Sequence, residues 1–98
     1  MEIKITRSPV HGVLPEPEKL GFGNYFTDHM FLMDYSEDRG WHDARIVPYG
    51  PLTLSPASSV LHYGTEVFEG LKAYRRPDGR VQLFRPWENV ARLNRSCD

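Results

Sequence analysis

Residues Tyr25–Tyr35 read YFTDHMFLMDY, followed by the polar run Ser36-Glu-Asp-Arg-Gly40 and then by Trp41–Val47, WHDARIV. Aromatic and β-branched side chains crowd the first segment, and Met30, Phe31, Leu32 and Met33 supply apolar groups to both faces of an extended chain. That composition predicts a strand buried on both faces for much of its length. Ser36–Gly40 has turn chemistry, and Trp41–Val47 reads as the return strand, closed by Pro48, which cannot donate to a ladder. Downstream, Tyr49-Gly50-Pro51 is a loop, and Leu52 and Leu54 alternate briefly before Pro56. Pro56 with Ser58 and Ser59 predicts a helix entry, because proline is tolerated in the first turn and serine can cap free amides. That helix is expected to reach about Phe68, turning Val60, Leu61, Gly64, Val67 and Phe68 to a core. Leu71–Arg75 and Arg80–Phe84 then flank Pro77-Asp78-Gly79, the clearest hairpin signal in the chain. Pro86 opens a second helix with Trp87, Val90 and Leu93 at helical spacing.

Upstream, Pro9, Pro15 and Pro17 oppose regular structure by fixing φ and removing donors. Residues 1–19 therefore read as an extended arm, and residues 20–98 as an incomplete small domain. The fold class is α/β, of the α+β type: a mixed or antiparallel sheet with two helices packed on it. The second helix meets the end of the sequence without a glycine stop, so these elements are expected to belong to a larger fold.

The 98 residues carry 12 Lys plus Arg against 13 Asp plus Glu, a formal net charge of −1, with 40% hydrophobic and 26% charged residues. This is globular composition. Near-neutral charge removes the electrostatic case for nucleic acid or an anionic membrane surface. No apolar run approaches the roughly 20 residues that span a bilayer. The N-terminus lacks the apolar stretch of a secretory signal, and Glu2, Glu16 and Glu18 oppose a transit peptide. The lone Cys97 excludes an internal disulfide and fits a reducing compartment, so a cytoplasmic protein is expected.

Few residues announce chemistry. Asp28 and His29 are adjacent, but neighbours in a strand point to opposite faces, which favours a structural histidine over a general-base pair. The four histidines and the cysteine show no metal-ligand spacing, and no metal is expected. Lys72 invites a Schiff-base reading, against the simpler one of a solvent-facing strand lysine. Arg92 follows Arg85 by seven residues, nearly on one helical face, and can offer a planar fork to a phosphate or carboxylate. An ion-paired surface arginine satisfies the same spacing. Phe22, Tyr25, Phe26, Tyr63 and Phe68 suit either an apolar pocket or plain core packing.

Several strings carry more. Gly21-Phe-Gly-Asn-Tyr-Phe-Thr-Asp-His-Met30, Gly40-Trp-His-Asp-Ala-Arg-Ile46, Pro48-Tyr-Gly-Pro-Leu52, Val60-Leu-His-Tyr-Gly64, Val67-Phe-Glu-Gly-Leu-Lys-Ala-Tyr74 and Leu83-Phe-Arg-Pro-Trp87 occur in this order. From about Leu20 onward the chain closely resembles the N-terminal region of branched-chain amino-acid aminotransferases, fold-type IV enzymes that use pyridoxal 5′-phosphate. The resemblance implies transfer of the amino group of leucine, isoleucine or valine to 2-oxoglutarate, generally by a homodimer. It implies that Arg92, in Asn-Val-Ala-Arg-Leu-Asn, clamps the cofactor phosphate. It also implies that Phe22, Tyr63 and Phe68 line the substrate side-chain pocket, Tyr63 from the neighbouring subunit. Lys72 does not match the family's cofactor lysine, which lies much farther along, so no catalytic residue is assigned here and the chain alone is expected not to transaminate. D-amino-acid aminotransferases and aminodeoxychorismate lyases share the fold type, but the Phe-Thr-Asp-His-Met and Phe-Glu-Gly-Leu-Lys-Ala-Tyr strings count against both. A truncated, non-catalytic paralogue acting as a binding or dimerising module is the alternative of a different class.

Overall fold

A computed structural model describes residues 1–98. Strands β1 (Lys4–Ile5), β2 (His29–Ser36) and β3 (Gly40–Pro48) form one sheet in the order β1-β3-β2. The expected hairpin is present: β2 and β3 are antiparallel, from His29 opposite Pro48 to Ser36 opposite Gly40. Gly40 takes a positive φ of 66° to close the turn, a region open to glycine at no steric cost. β1 pairs parallel to β3, with Lys4 opposite Arg45 and Ile5 opposite Ile46. The N-terminal stretch is thus tied to the sheet despite its prolines, helped by the Thr6 amide donating to the Ile46 carbonyl at 2.9 Å.

The ladder is irregular at one place. Leu32 faces Arg45 and Asp34 faces His42, so Met33 opposes two residues, Asp43 and Ala44. Asp43 at the bulge has φ of 55°, left-handed backbone that L residues other than Asn and Asp seldom adopt.

The second part of the chain contains α1 (Ser59–His62), β4 (Ala73–Arg75), β5 (Val81–Leu83) and α2 (Pro86–Ser96). β4 and β5 pair antiparallel around Asp78-Gly79, with Tyr74 opposite Gln82. The Asp78 carboxylate accepts from the Arg80 amide at 3.0 Å and from its guanidinium at 2.9 and 2.8 Å, the aspartate turn chemistry the sequence implies. The mixed α/β class with two helices stands, with the strands divided between two small sheets. Two compact units result, Met1–Thr53 and Leu54–Asp98.

Two elements differ from the sequence expectation. β2 begins at His29 instead of Tyr25 and is not buried on both faces; Phe31 remains 54% exposed. The α1 helix is one turn long and stops at Tyr63, because Gly64 turns left-handed at φ of 63°. A shared cause is the scarcity of core: Ala44 is the only buried residue. The accessible surface is 9241 Å² for 11.3 kDa. One compact protein of that mass would expose about 5,700 Å², and two separate bodies of half the mass about 6,900 Å². Large apolar side chains such as Val13, Phe68 and Phe84 are exposed, and no helix is long and apolar enough to cross a membrane.

Candidate functional site

The α2 helix starts where Pro86 presets φ, with Glu88 in its first turn and Arg95 in its last, charges that complement the helix dipole. Asn89 and Arg92 lie three residues apart and therefore on one face. Both reach back to Glu69, in the segment between α1 and β4. The Asn89 amide donates to Glu69 Oε1 at 3.1 Å and to the Gly70 carbonyl at 2.8 Å. Arg92 Nε donates to Glu69 Oε2 at 2.8 Å, and Arg92 Nη2 donates to Glu69 Oε1. This fork-to-fork pair is the strongest geometry open to an arginine and a carboxylate.

Electrostatics follow the geometry. The Arg92 guanidinium, aided by Asn89 and the Gly70 amide, holds the Glu69 carboxyl at about 2, against an ordinary value of 4.5, although partial burial opposes this. Hydrogen bonding to Glu69 in turn raises Arg92. The Glu69 side chain is 12% exposed and that of Arg92 is 60% exposed, so Glu69 is the sheltered partner of the pair. Their cleft, of about 450 Å³, is lined by Glu66–Gly70, Arg92 and Ser96. On its other side Arg92 borders a groove of about 300 Å³ with Arg85, Arg95 and Glu88. Arg85 and Arg92 thus meet one groove, as their spacing predicts, although Arg85 is the N-cap of α2 and bonds Glu88 at 3.1 Å.

Phe68 shares the cleft with Arg92. Tyr63 caps α1, its amide donating to the Ser59 carbonyl at 2.7 Å. Phe22 lies in the other unit, between Gly21 and Gly23, both at positive φ. Phe22, Tyr63 and Phe68 are 100%, 83% and 90% exposed, so none of them is core. Tyr25 and Phe26 line a groove with residues 12–15 and Leu20, and Phe26 stacks on Tyr49 at 5.3 Å. His29 is structural: its Nε2 accepts from the Ser8 amide at 2.8 Å. Asp28 likewise accepts from the Gly12 amide at 3.0 Å, which lowers its pKa. Lys72 is exposed just ahead of β4.

Sequence spacing missed Glu69 and Asn89. Asn89 had a signal, one helical turn before Arg92; Glu69, 23 residues upstream, had none apart from the Phe-Glu-Gly string. It also missed a cluster across the bulge, where ligand atoms of Asp34, His42 and Asp43 lie within 4.8 Å of one another. Cations of the protein already occupy those carboxylates: Arg45 donates to Asp34 at 2.8 Å, and Arg39 to Asp43 at 3.4 Å.

Arg92 is thus paired with Glu69 on one edge and borders a groove with Arg85 and Arg95, and relatives identify the lineage of the chain that carries it. Branched-chain-amino-acid transaminase 1 of Bacillus subtilis is 69% identical over 84 residues, 86% of this chain and 24% of the relative. The chain belongs to the branched-chain aminotransferase family. Branched-chain-amino-acid aminotransferase 2 of the same organism is 54% identical over all 98 residues, 26% of its own length. A probable branched-chain-amino-acid aminotransferase of Streptomyces coelicolor is 62% identical over 76 residues, 78% of this chain and 21% of the relative. This family member spans about a quarter of the length of the curated relatives it matches. No protein-family model matches it.

Proposed function

We propose that these 98 residues act as the small-domain portion of a pyridoxal-phosphate-dependent aminotransferase that moves the amino group of leucine, isoleucine or valine to 2-oxoglutarate. In this reading residues 1–19 are an arm, residues 20–98 belong to the small domain, and the cytoplasmic enzyme is a homodimer. The observation that carries the reading is the open guanidinium of Arg92 in a chain so closely related to branched-chain aminotransferases.

The residues fit the cofactor's anionic end. Arg92 keeps Nη1 and one Nη2 proton unpaired, and Arg85 and Arg95 add positive charge along the same groove. When bound, the cofactor supplies the electron sink that amino-group transfer needs. The protein's part is to bind and orient: Arg92 takes phosphate oxygens through its outer edge. Phe22, Tyr63 and Phe68 offer apolar surface to a branched side chain, which gains about 1.5–3 kcal/mol on leaving water and needs no polar partner.

A chimera tests this. The matching segment of the Bacillus subtilis transaminase is replaced by these 98 residues, and cofactor loading and leucine-dependent glutamate formation are measured. The expectation is a loaded chimera that forms glutamate from leucine and 2-oxoglutarate. A folded chimera that loads the cofactor but uses only D-amino acids, or forms no glutamate from any branched substrate, refutes the reading.

A further inference from the structure

We propose that Glu69 is a positioning residue: it fixes the Arg92 guanidinium so that the outer edge is presented to the cofactor phosphate before the cofactor arrives. This rests on the reading that Arg92 binds that phosphate.

A guanidinium has five N–H donors in a rigid plane. Glu69 takes two of them, Nε–H and one Nη2–H, which lie along one edge of that plane. The remaining three, both Nη1 protons and the second Nη2 proton, are unengaged and include the edge that fits a second pair of oxygens. One arginine can therefore hold a carboxylate behind and a phosphate in front. Glu69 is itself immobilised, because Asn89 donates both to its Oε1 and to the neighbouring Gly70 carbonyl. The exposures agree: the Glu69 side chain is 12% exposed while the Arg92 side chain is 60% exposed. A long, rotamer-rich side chain held in its binding geometry loses less freedom when its ligand docks. Glu69 also carries a cost, since its charge offsets that of Arg92. Arg85 and Arg95 on the same groove, against the single carboxylate of Glu88, restore a positive excess. The opposite role is equally concrete in chemistry: a carboxylate can occupy the guanidinium as a decoy that the phosphate must displace. Position and decoy differ in sign. The donor count favours position, because the edge a phosphate needs is the one Glu69 leaves open.

The test uses the chimera with Glu69→Gln, Arg92→Ala and both together. Dissociation constants for pyridoxal phosphate and for pyridoxal, which lacks the phosphate, are measured by absorbance titration, with circular dichroism checking the fold. Glutamine keeps the shape of Glu69 but turns one acceptor into a donor facing Arg92. Glu69→Gln is expected to weaken pyridoxal phosphate by about tenfold or more and to leave pyridoxal unchanged. The double variant should bind like Arg92→Ala alone. Should Glu69→Gln misfold, Asn89→Ala, which only loosens the carboxylate, is expected to give a smaller loss confined to the phosphorylated ligand. Unchanged or tighter pyridoxal phosphate binding by Glu69→Gln, with Arg92→Ala impaired, overturns positioning and leaves the Arg92 reading standing. Arg92→Ala with normal affinity overturns both. Equal losses for the two ligands in Glu69→Gln also overturn positioning, since that pattern marks a structural role.

Discussion

Removing the Arg92 guanidinium should return Glu69 to ordinary carboxylate behaviour. In the folded protein the Arg92 fork and the Asn89 amide hold the Glu69 carboxyl at about 2, against 4.5 for an unperturbed glutamate. At pH 4.5 a free glutamate is half protonated, whereas Glu69 is protonated in only about one molecule in 300. The sign is fixed by the direction of the shift. A carboxyl depressed in the folded state contributes its full stabilisation above the unfolded value of 4.5, and that contribution drains away as the pH falls from 4.5 toward 2. Between pH 5 and 9 the pair is therefore pH-independent. Arg92→Ala removes the main lowering influence but leaves the partial burial, which acts upward. The midpoint should then lie in the ordinary glutamate range or above it. The assay is carbon NMR of carboxyl-labelled glutamate in the chimera, titrated from pH 7 to 4 with Glu69→Gln assigning the resonance. The parent should show no Glu69 titration in that interval, and Arg92→Ala should show most of one. A parent midpoint inside the window, or an Arg92→Ala resonance that stays flat across it, refutes the reasoning.

The isolated 98-residue chain, with Ala44 as its only buried residue, should bind a hydrophobic dye strongly, unfold without a sharp calorimetric transition and form no glutamate from leucine; a cooperative heat-absorption peak or sustained turnover counts against this. Ala44→Leu in the chimera forces three extra carbons into the one closed position of the first unit, where Ala44 is 4% exposed. Denaturant titration should record a loss of about 1–3 kcal/mol, and an unchanged midpoint would mean that the site has room.

Legibility in the sequence tracked the range of the interaction. The hairpin at Asp78-Gly79, the turn closed by Gly40 and the start of α2 at Pro86 all depend on backbone preferences of one or two residues, and all are present where those residues stand. The length of α1 is not legible because Val67 and Phe68 keep helical spacing with Val60 and Leu61, yet Gly64 ends the helix locally and no packing restores it. Burial in β2 is hidden for a related reason: apolar composition says which side chains seek cover, while the cover comes from elements that sequence neighbours do not reveal. Arg92 was visible as a candidate, but the Glu69 carboxylate that orients it arrives from 23 residues away. The Asp34, His42 and Asp43 cluster was hidden by the same logic, since only the bulge brings its members to one place.

That bulge also has a meaning for changes in chain length. β3 spends two residues, Asp43 and Ala44, opposite Met33 alone, while the pairs on either side remain in register. Deleting one residue there leaves Leu32 opposite Arg45 and Asp34 opposite His42, and it removes the left-handed backbone at Asp43. Deleting a residue elsewhere in β3 slides the remaining pairs by one and turns each shifted side chain to the opposite face. Within this ladder, the bulge is the point at which lineages can differ by one residue without rewriting the strand.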